Sequence, residues 1–150
     1  MNPAPKHPVD LLLVLSHGDR VLLARRENTG YADGQWNLPS GKLEHGEDAL
    51  TGMIREAREE IGLRLTPDEL RLATTIHQQN PDGSTRIGLV FLATHDPARH
   101  GTPINAEPHK CGGIAWFPAT DLPADAVPYT AACVQAFLDA VPFALTGFRS

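Results

Sequence analysis

Cysteine is nearly absent from this chain. Cys111 and Cys133 are the only two, and neither has a CxxC or other metal-ligand spacing. That argues against a disulfide framework and fits a reducing compartment, so the cytoplasm is the expected setting. Long apolar runs are missing too. The longest, Leu11–Leu15, is far too short to cross a bilayer, and Met1–Asp10 lacks the basic start and apolar stretch of a secretory signal. Aromatic residues make up only 6% of the chain. There is no excess of positive charge either. Thirteen Lys and Arg face 18 Asp and Glu, a net −5, which argues against a nucleic-acid polymer as partner. No internal repeat or linker is visible. With 41% hydrophobic and 21% charged residues, the 150 residues suit one globular domain, and halves of that size would each be marginal.

The acids that are present are concentrated. Six of the 18 fall between Gly41 and Gly62: Glu44, Glu47, Asp48, Glu56, Glu59 and Glu60. Such a density suggests a cation, or a phosphate ligand reached through cations.

Punctuation by Gly and Pro divides the chain. Residues 1–8 hold Pro3, Pro5 and Pro8 and read as a flexible tail ahead of a single domain over 9–150. Val9–His17 and Arg20–Arg25 read as a hairpin turning at Gly18–Asp19, and Trp36–Leu38 as a short strand before Pro39. Asp48–Ile61 is the clearest helix, with acids at its start and Gly62 as its C-cap. Leu70–Gln78 and Arg86–Thr94 read as strands around a turn at Asn80–Gly83. A loop then spans His95–Pro108, a strand Gly113–Phe117, and a second helix Pro128–Ala140. That helix places Tyr129, Cys133, Ala136, Phe137 and Ala140 on one side, with Pro128 in its first turn. The order of strands, helix, strands and helix predicts an α/β chain of the α+β type, a mixed sheet with helices packed on it.

On the first helix, Leu50, Met53, Ile54, Ala57 and Ile61 share one face, predicted to pack on the sheet. Glu56, Glu59 and Glu60 share the other. Each like-charged i,i+3 or i,i+4 pair costs a helix about 0.2–0.5 kcal/mol, so the cluster favours a cation more than it favours the helix. Hard oxygen donors without His or Cys point to Mg²⁺ or Mn²⁺ rather than Zn²⁺. Taken alone, the same face also reads as a solvated stripe. Gly52, toward the acidic side, is either a tolerated small residue or a place where a loop approaches the helix closely.

The loop before the helix decides between these readings. Gly41, five residues, Glu47, seven residues, Arg55-Glu56-Ala57, one residue, Glu59-Glu60, one residue and Gly62-Leu63 follow one another in that order. This resembles the Nudix box, GX5EX7REUXEEXGU, at every fixed position. Ala57, where the family has a bulky aliphatic, is the one soft departure. The box covers 23 residues, Gly41–Leu63. The early hairpin, Trp36-Asn37-Leu38-Pro39-Ser40 and Trp116-Phe117 resemble the family more loosely. The resemblance implies a Nudix fold, a mixed β-sheet sandwiched between α-helices.

It also implies roles. Glu56, Glu59 and Glu60 match the carboxylates that hold catalytic Mg²⁺ or Mn²⁺, and Ser40 lies near the position whose backbone carbonyl joins them. Glu56 is the first candidate for the general base, and Glu59 is the other candidate catalytic carboxylate. Glu47 and Arg55 match the pair that braces the loop against the helix, and Gly41 and Gly62 match positions of unusual backbone geometry. Glu107 lies where many members place an extra acid, as a further metal ligand or a plain loop acid. Lys110, Arg25 and Arg26 are candidate phosphate contacts. His77, Tyr31 and Trp36 are open between nucleoside contact and packing, and Trp116 and Phe117 read as packing residues.

Subfamily markers are missing. The proline that ADP-ribose pyrophosphatases show about 15 residues past the box is Gln78 here. The tyrosine of diadenosine polyphosphate hydrolases is replaced by Gln79, Asn80 and Pro81. The resemblance thus points to a MutT-like hydrolase converting a nucleoside or deoxynucleoside triphosphate to the monophosphate plus pyrophosphate. A nucleotide-sugar or dinucleotide pyrophosphatase, a non-catalytic nucleotide-sensing module and an isomerase on the same scaffold are the alternatives. A small nucleotide is the expected partner, with no membrane, and monomer and homodimer both remain open.

Overall fold

A computed structural model describes residues 2–148; Met1 of the expected tail and the last two residues of the expected domain lie outside them. Eight strands form one mixed sheet. They are β1 (Val9–His17), β2 (Arg20–Arg26), β3 (Trp36–Asn37), β4 (Ser40–Lys42), β5 (Arg71–Gln79), β6 (Thr85–Thr94), β7 (Cys111–Pro118) and β8 (Phe143–Thr146). The helices are α1 (Ala49–Ile61), α2 (Pro97–His100) and α3 (Pro128–Leu138), with a 3₁₀ turn at Pro67–Glu69.

Strand β1 is the axis of the molecule. Its run Leu11–Leu15 is buried on both faces. Leu11, Leu13 and Leu15 pack with Met53, Ala57 and Ile61 of α1. Leu12 and Val14 pack with Cys133, Val134 and Ala136 of α3. Alternating side chains thus glue one helix to each face, which makes the sheet the middle layer of a sandwich. One edge of β1 pairs in parallel with β6 along its length, from Val9↔Ile87 to Ser16↔Thr94. Its other edge is shared. β4 takes Asp10–Leu12, and β2 takes Ser16 and His17. Beyond that point β2 leaves β1, pairing with β3 at Ala24 and Arg25 and with β7 along its length. The sheet therefore forks at Ser40, and the functional cleft lies in the fork.

Several expectations need correction. Leu50 is solvent-exposed, although the wheel places it on the packing face. The helix meets the sheet through Gly52, Met53, Ala57 and Ile61 instead. Helix α3 ends at Leu138, so Ala140 is exposed and takes a left-handed backbone (φ 52°). Thr130 and Val134 join its buried face; the Thr130 hydroxyl is buried because it accepts the Leu38 N–H (3.0 Å). The segment read as an irregular loop after Thr94 contains α2, capped by Asp96 and started by Pro97. Residues 40–42 form β4, which is short and polar at its ends and so lacks a strand signature.

Candidate functional site

Helix α1 is fixed at both ends by its own sequence. Asp48 caps the N-terminus by accepting the Thr51 N–H (2.9 Å) and hydroxyl (2.7 Å). Gly62 closes the C-terminus in the left-handed region (φ 69°). Its N–H and that of Leu63 return to the Arg58 and Ala57 carbonyls. Burial of Met53, Ala57 and Ile61 then turns Glu56, Glu59 and Glu60 toward the fork.

Arg55 organises the carboxylates. Its Nε and Nη2 donate to the two Glu47 oxygens at 3.1 and 2.8 Å. Its Nη1 donates to Glu56 (2.7 Å) and Glu59 (3.3 Å), and Glu44 lies 3.5 Å away. Glu47 in turn accepts the Glu44 N–H (2.9 Å), which ties the box loop to the helix. Glu47 and Arg55 thus stand between the box loop and α1. The fork holds Glu47 well below the usual carboxylate range, and the same bonds raise Arg55. Gly52 is buried because this loop comes close; a Cβ there would stand 2.6 Å from Leu11 Cδ1 and 2.8 Å from Glu47 Oε1.

Gly41 has a different use. A Cβ at this residue would collide with the Glu56 carboxylate, so the missing side chain is the space that carboxylate fills. Glu56 is raised above its ordinary pKa by burial, opposed by Arg55, with the charges of Glu59 and Glu107 adding to the rise. Glu60 accepts the Ser40 N–H at 3.0 Å. Burial pushes it up to about 8 against that bond, and the charges of Glu56 and Glu107 push the same way. The contact seen for Ser40 is through its amide.

These groups line a cleft of about 610 Å³ between the ends of β2, β3 and β4, the outer face of α1 and the loop before β7. Glu56, Glu59, Glu60 and Glu107 form one wall set, and Arg25, Arg26, Lys42 and Lys110 bring positive charge to the same space. Arg25 and Arg26 are neighbours on a strand and would ordinarily face opposite ways. A register shift between them in the β2–β7 ladder lets both line the cleft. Arg26 donates to the Tyr31 carbonyl (2.7 Å) and the Thr29 hydroxyl (3.0 Å), and Arg25 to the Gly34 carbonyl (3.2 Å). Glu107 is carried in by a loop stitched to the end of α1: Ile104 N–H to the Ile61 carbonyl (2.9 Å) and Ala106 N–H to the Glu60 carbonyl (3.1 Å).

Among the described residues, no three His, Cys, Asp or Glu side chains already converge as a metal cage. Arg55 holds Glu56 and Glu59, and the Ser40 amide holds Glu60. The donors available are nonetheless hard oxygens, the set suited to Mg²⁺ or Mn²⁺.

A second cavity of about 370 Å³ adjoins the first and shares Arg26, Asn37, Ser40, Gly41 and Lys42 with it. Tyr31 and Tyr129 line it. Tyr31 is exposed, with the Arg26 guanidinium 5.3 Å from its ring centre. The other aromatics in question are packing residues: Trp36 meets Phe117 edge-on at 5.1 Å, Trp116 packs on His17 and His95, and His77 lies against Phe148. Sequence reasoning missed Lys42, Asn37 and the pair Asp10–Arg86. The available signal for Asp10 was a carboxylate heading an otherwise aliphatic strand, a position that demands a partner.

Comparison with known proteins places the chain. Residues 5–137 match the NUDIX domain profile. The chain belongs to the NUDIX domain family. It is 34% identical over 118 residues to the human 8-oxo-dGDP phosphatase, aligning 77% of this chain with 33% of that protein. It is 30% identical over 103 residues to the Escherichia coli CTP pyrophosphohydrolase, covering 69% of this chain and 70% of the relative. The chain thus spans about a third of the length of the human relative. The crystal structure of a MutT NUDIX hydrolase from Burkholderia pseudomallei superposes with a TM-score of 0.76 at 25% identity, over 87% of this chain and 98% of that one.

Proposed function

We propose that this chain is a divalent-cation-dependent pyrophosphohydrolase that cleaves a nucleoside or deoxynucleoside triphosphate to the monophosphate and pyrophosphate. One observation carries the reading: the box carboxylates Glu56, Glu59 and Glu60, at the family's spacing, face one cleft together with Glu107 and the cationic side chains Arg25, Arg26, Lys42 and Lys110. The names of the relatives, an 8-oxo-dGDP phosphatase and a CTP pyrophosphohydrolase, support a nucleotide substrate.

Glu56, Glu59 and Glu60 would hold Mg²⁺ or Mn²⁺, with Glu107 and the Ser40 backbone as further donors. The cation supplies charge neutralisation and a more acidic bound water. The residues of the chain do the rest. Arg25, Arg26 and Lys110 bind the polyphosphate, and Arg55 hands over part of its carboxylate set when the site is loaded while keeping Glu47 and the loop in place. Water attacks phosphorus, its oxygen forms the new P–O bond, and the anhydride P–O bond breaks. The proton goes to a cleft carboxylate, Glu56 before Glu59, as a positioned carboxylate is the base such a step needs. The nucleoside extends into the second cavity.

The test is pyrophosphate release with Mg²⁺ across ordinary and oxidised triphosphates, ADP-ribose, nucleotide sugars and diadenosine polyphosphates, with Glu60→Gln as blank. Selective release from triphosphates is expected, with none in excess EDTA. Turnover confined to diphosphate-linked substrates would overturn the substrate. Nucleotide binding without turnover would point to a sensing module.

A further inference from the structure

The second cavity holds a part-buried ion pair, its carboxylate buried and its guanidinium half-buried, that the hydrolytic chemistry does not use. Asp10, on β1, is 8% exposed. Arg86, on β6, donates Nε to Asp10 Oδ2 at 2.6 Å and Nη2 to Oδ1 at 2.9 Å. The Tyr129 hydroxyl, from α3, donates to Oδ2 at 3.3 Å. Three elements therefore converge on one carboxylate. Gly88 makes room for the third, since a Cβ there would collide with the Tyr129 hydroxyl.

Such a pair is a poor device for stability. Desolvating two charges costs about as much as their attraction returns, and an apolar substitute of equal shape is often as stable. Its placement suggests another use. Asp10, Arg86 and Tyr129 all line the cavity that opens onto the phosphate cleft through Ser40, Gly41 and Lys42. Both Asp10 oxygens are occupied, while Arg86 Nη1 has no hydrogen-bond partner among the described residues. Gln78, on the same cavity, spends its side-chain oxygen on the Thr146 hydroxyl (2.9 Å), which leaves its amide nitrogen as a donor. Lys42 adds a third donor. Arg86 Nη1, the Gln78 amide nitrogen and Lys42 thus bring three donors to this cavity, beside the Asn80 side-chain oxygen, whose amide nitrogen is spent on Ser84.

We propose that Arg86, held by Asp10 and Tyr129, is a specificity residue that selects nucleotides whose base presents a ring carbonyl, against bases that lack one. This rests on the proposed hydrolysis of nucleotides and names the class of base. Guanine, its oxidised form and the pyrimidines offer carbonyl acceptors to these donors; adenine offers none and brings an amino group instead. Asp10 is a positioning residue: it fixes the guanidinium plane.

The test compares dGTP with the 2-aminopurine deoxynucleoside triphosphate, which keeps the purine ring and the 2-amino group but lacks the 6-carbonyl and, with it, the N1–H. A site built to hydrogen-bond one group rejects the analogue without it, so kcat/KM is expected to favour dGTP by about tenfold or more, through KM. In Arg86→Gln the ratio falls to within about threefold of unity, because the charged donor is gone. Arg86→Lys, which keeps the charge, serves where Arg86→Gln fails to fold, and the same collapse is expected because the fixed fork is lost. A merely structural pair would depress both substrates together and leave the ratio intact, which overturns the proposal. So does a wild-type ratio near one. Equilibrium binding of the α,β-methylene analogues of both nucleotides separates the two layers. Discrimination in binding without turnover would sink the hydrolase reading and keep this one; turnover without discrimination would do the reverse.

Discussion

Gly41 and Glu60 show how much single residues carry. The Gly41 backbone is where the Glu56 carboxylate rests, so Gly41→Ala must displace that carboxylate. We expect a larger loss of turnover than of thermal stability, read by activity and melting on one preparation. Glu60 gives a pH signature in the cation-free protein. Its folded pKa of about 8 lies above its ordinary 4.5. The contribution of this group to stability is therefore complete below about pH 4.5 and is lost as pH rises through about 8. Glu60→Gln removes that loss. In EDTA, the melting temperature of the variant relative to wild type should climb from about pH 4.5 to about pH 8 and level off above that. A flat difference would show that the carboxyl is not shifted.

Elements set where those residues stand. Gly62 ends α1 in the left-handed region, and a Cβ there would meet Ile104 Cγ1 at 2.8 Å. Gly62→Ala should cost about 1–2 kcal/mol from backbone strain alone, measured by denaturant unfolding. It should also lower activity, because Ile104 belongs to the loop that delivers Glu107. Much at this scale was legible in the sequence. The hairpin, α1 with both caps, and β5 and β6 each follow from local periodicity and turn residues. Helical spacing also put Glu56, Glu59 and Glu60 on one face of α1, which the structure turns to the cleft. What was hidden depends on distant partners. β4 is a strand only because Leu11 and Leu12 offer it an edge, β8 only because β5 does, and α2 is a single turn held by its cap. Leu50 was misplaced because a helical wheel cannot tell how wide the covering sheet is. Asp10 and Arg86 are far apart in sequence and become one feature only through the parallel register of β1 and β6.

Across the molecule, the two helices share a single strand as their foundation. Leu13 is fully buried between α1 and the sheet. Leu13→Ala should destabilise by about 2–5 kcal/mol, seen as a lower denaturation midpoint with an unchanged slope. Cation binding should act globally as well. A ligand that binds only the folded state at about 100 times its dissociation constant adds about 2.7 kcal/mol. Mg²⁺ should therefore raise the melting temperature of wild type, and Glu60→Gln should blunt the rise. No helix among the described residues is long and apolar enough to cross a membrane.

The parallel ladder between β1 and β6 also bears on how the chain is made. β1 leaves the ribosome well before its partner, since β6 emerges only after the box, α1, the 3₁₀ turn and β5. Until Thr94 has been synthesised, Leu11–Leu15 has one edge without its final partner, and Leu12 and Val14 wait longer still for their cover from α3. Non-local pairing of this kind closes slowly. A nascent chain halted before β6 is thus a template for aggregation, and β1, so deeply buried at the end, is for a time a vulnerable strand.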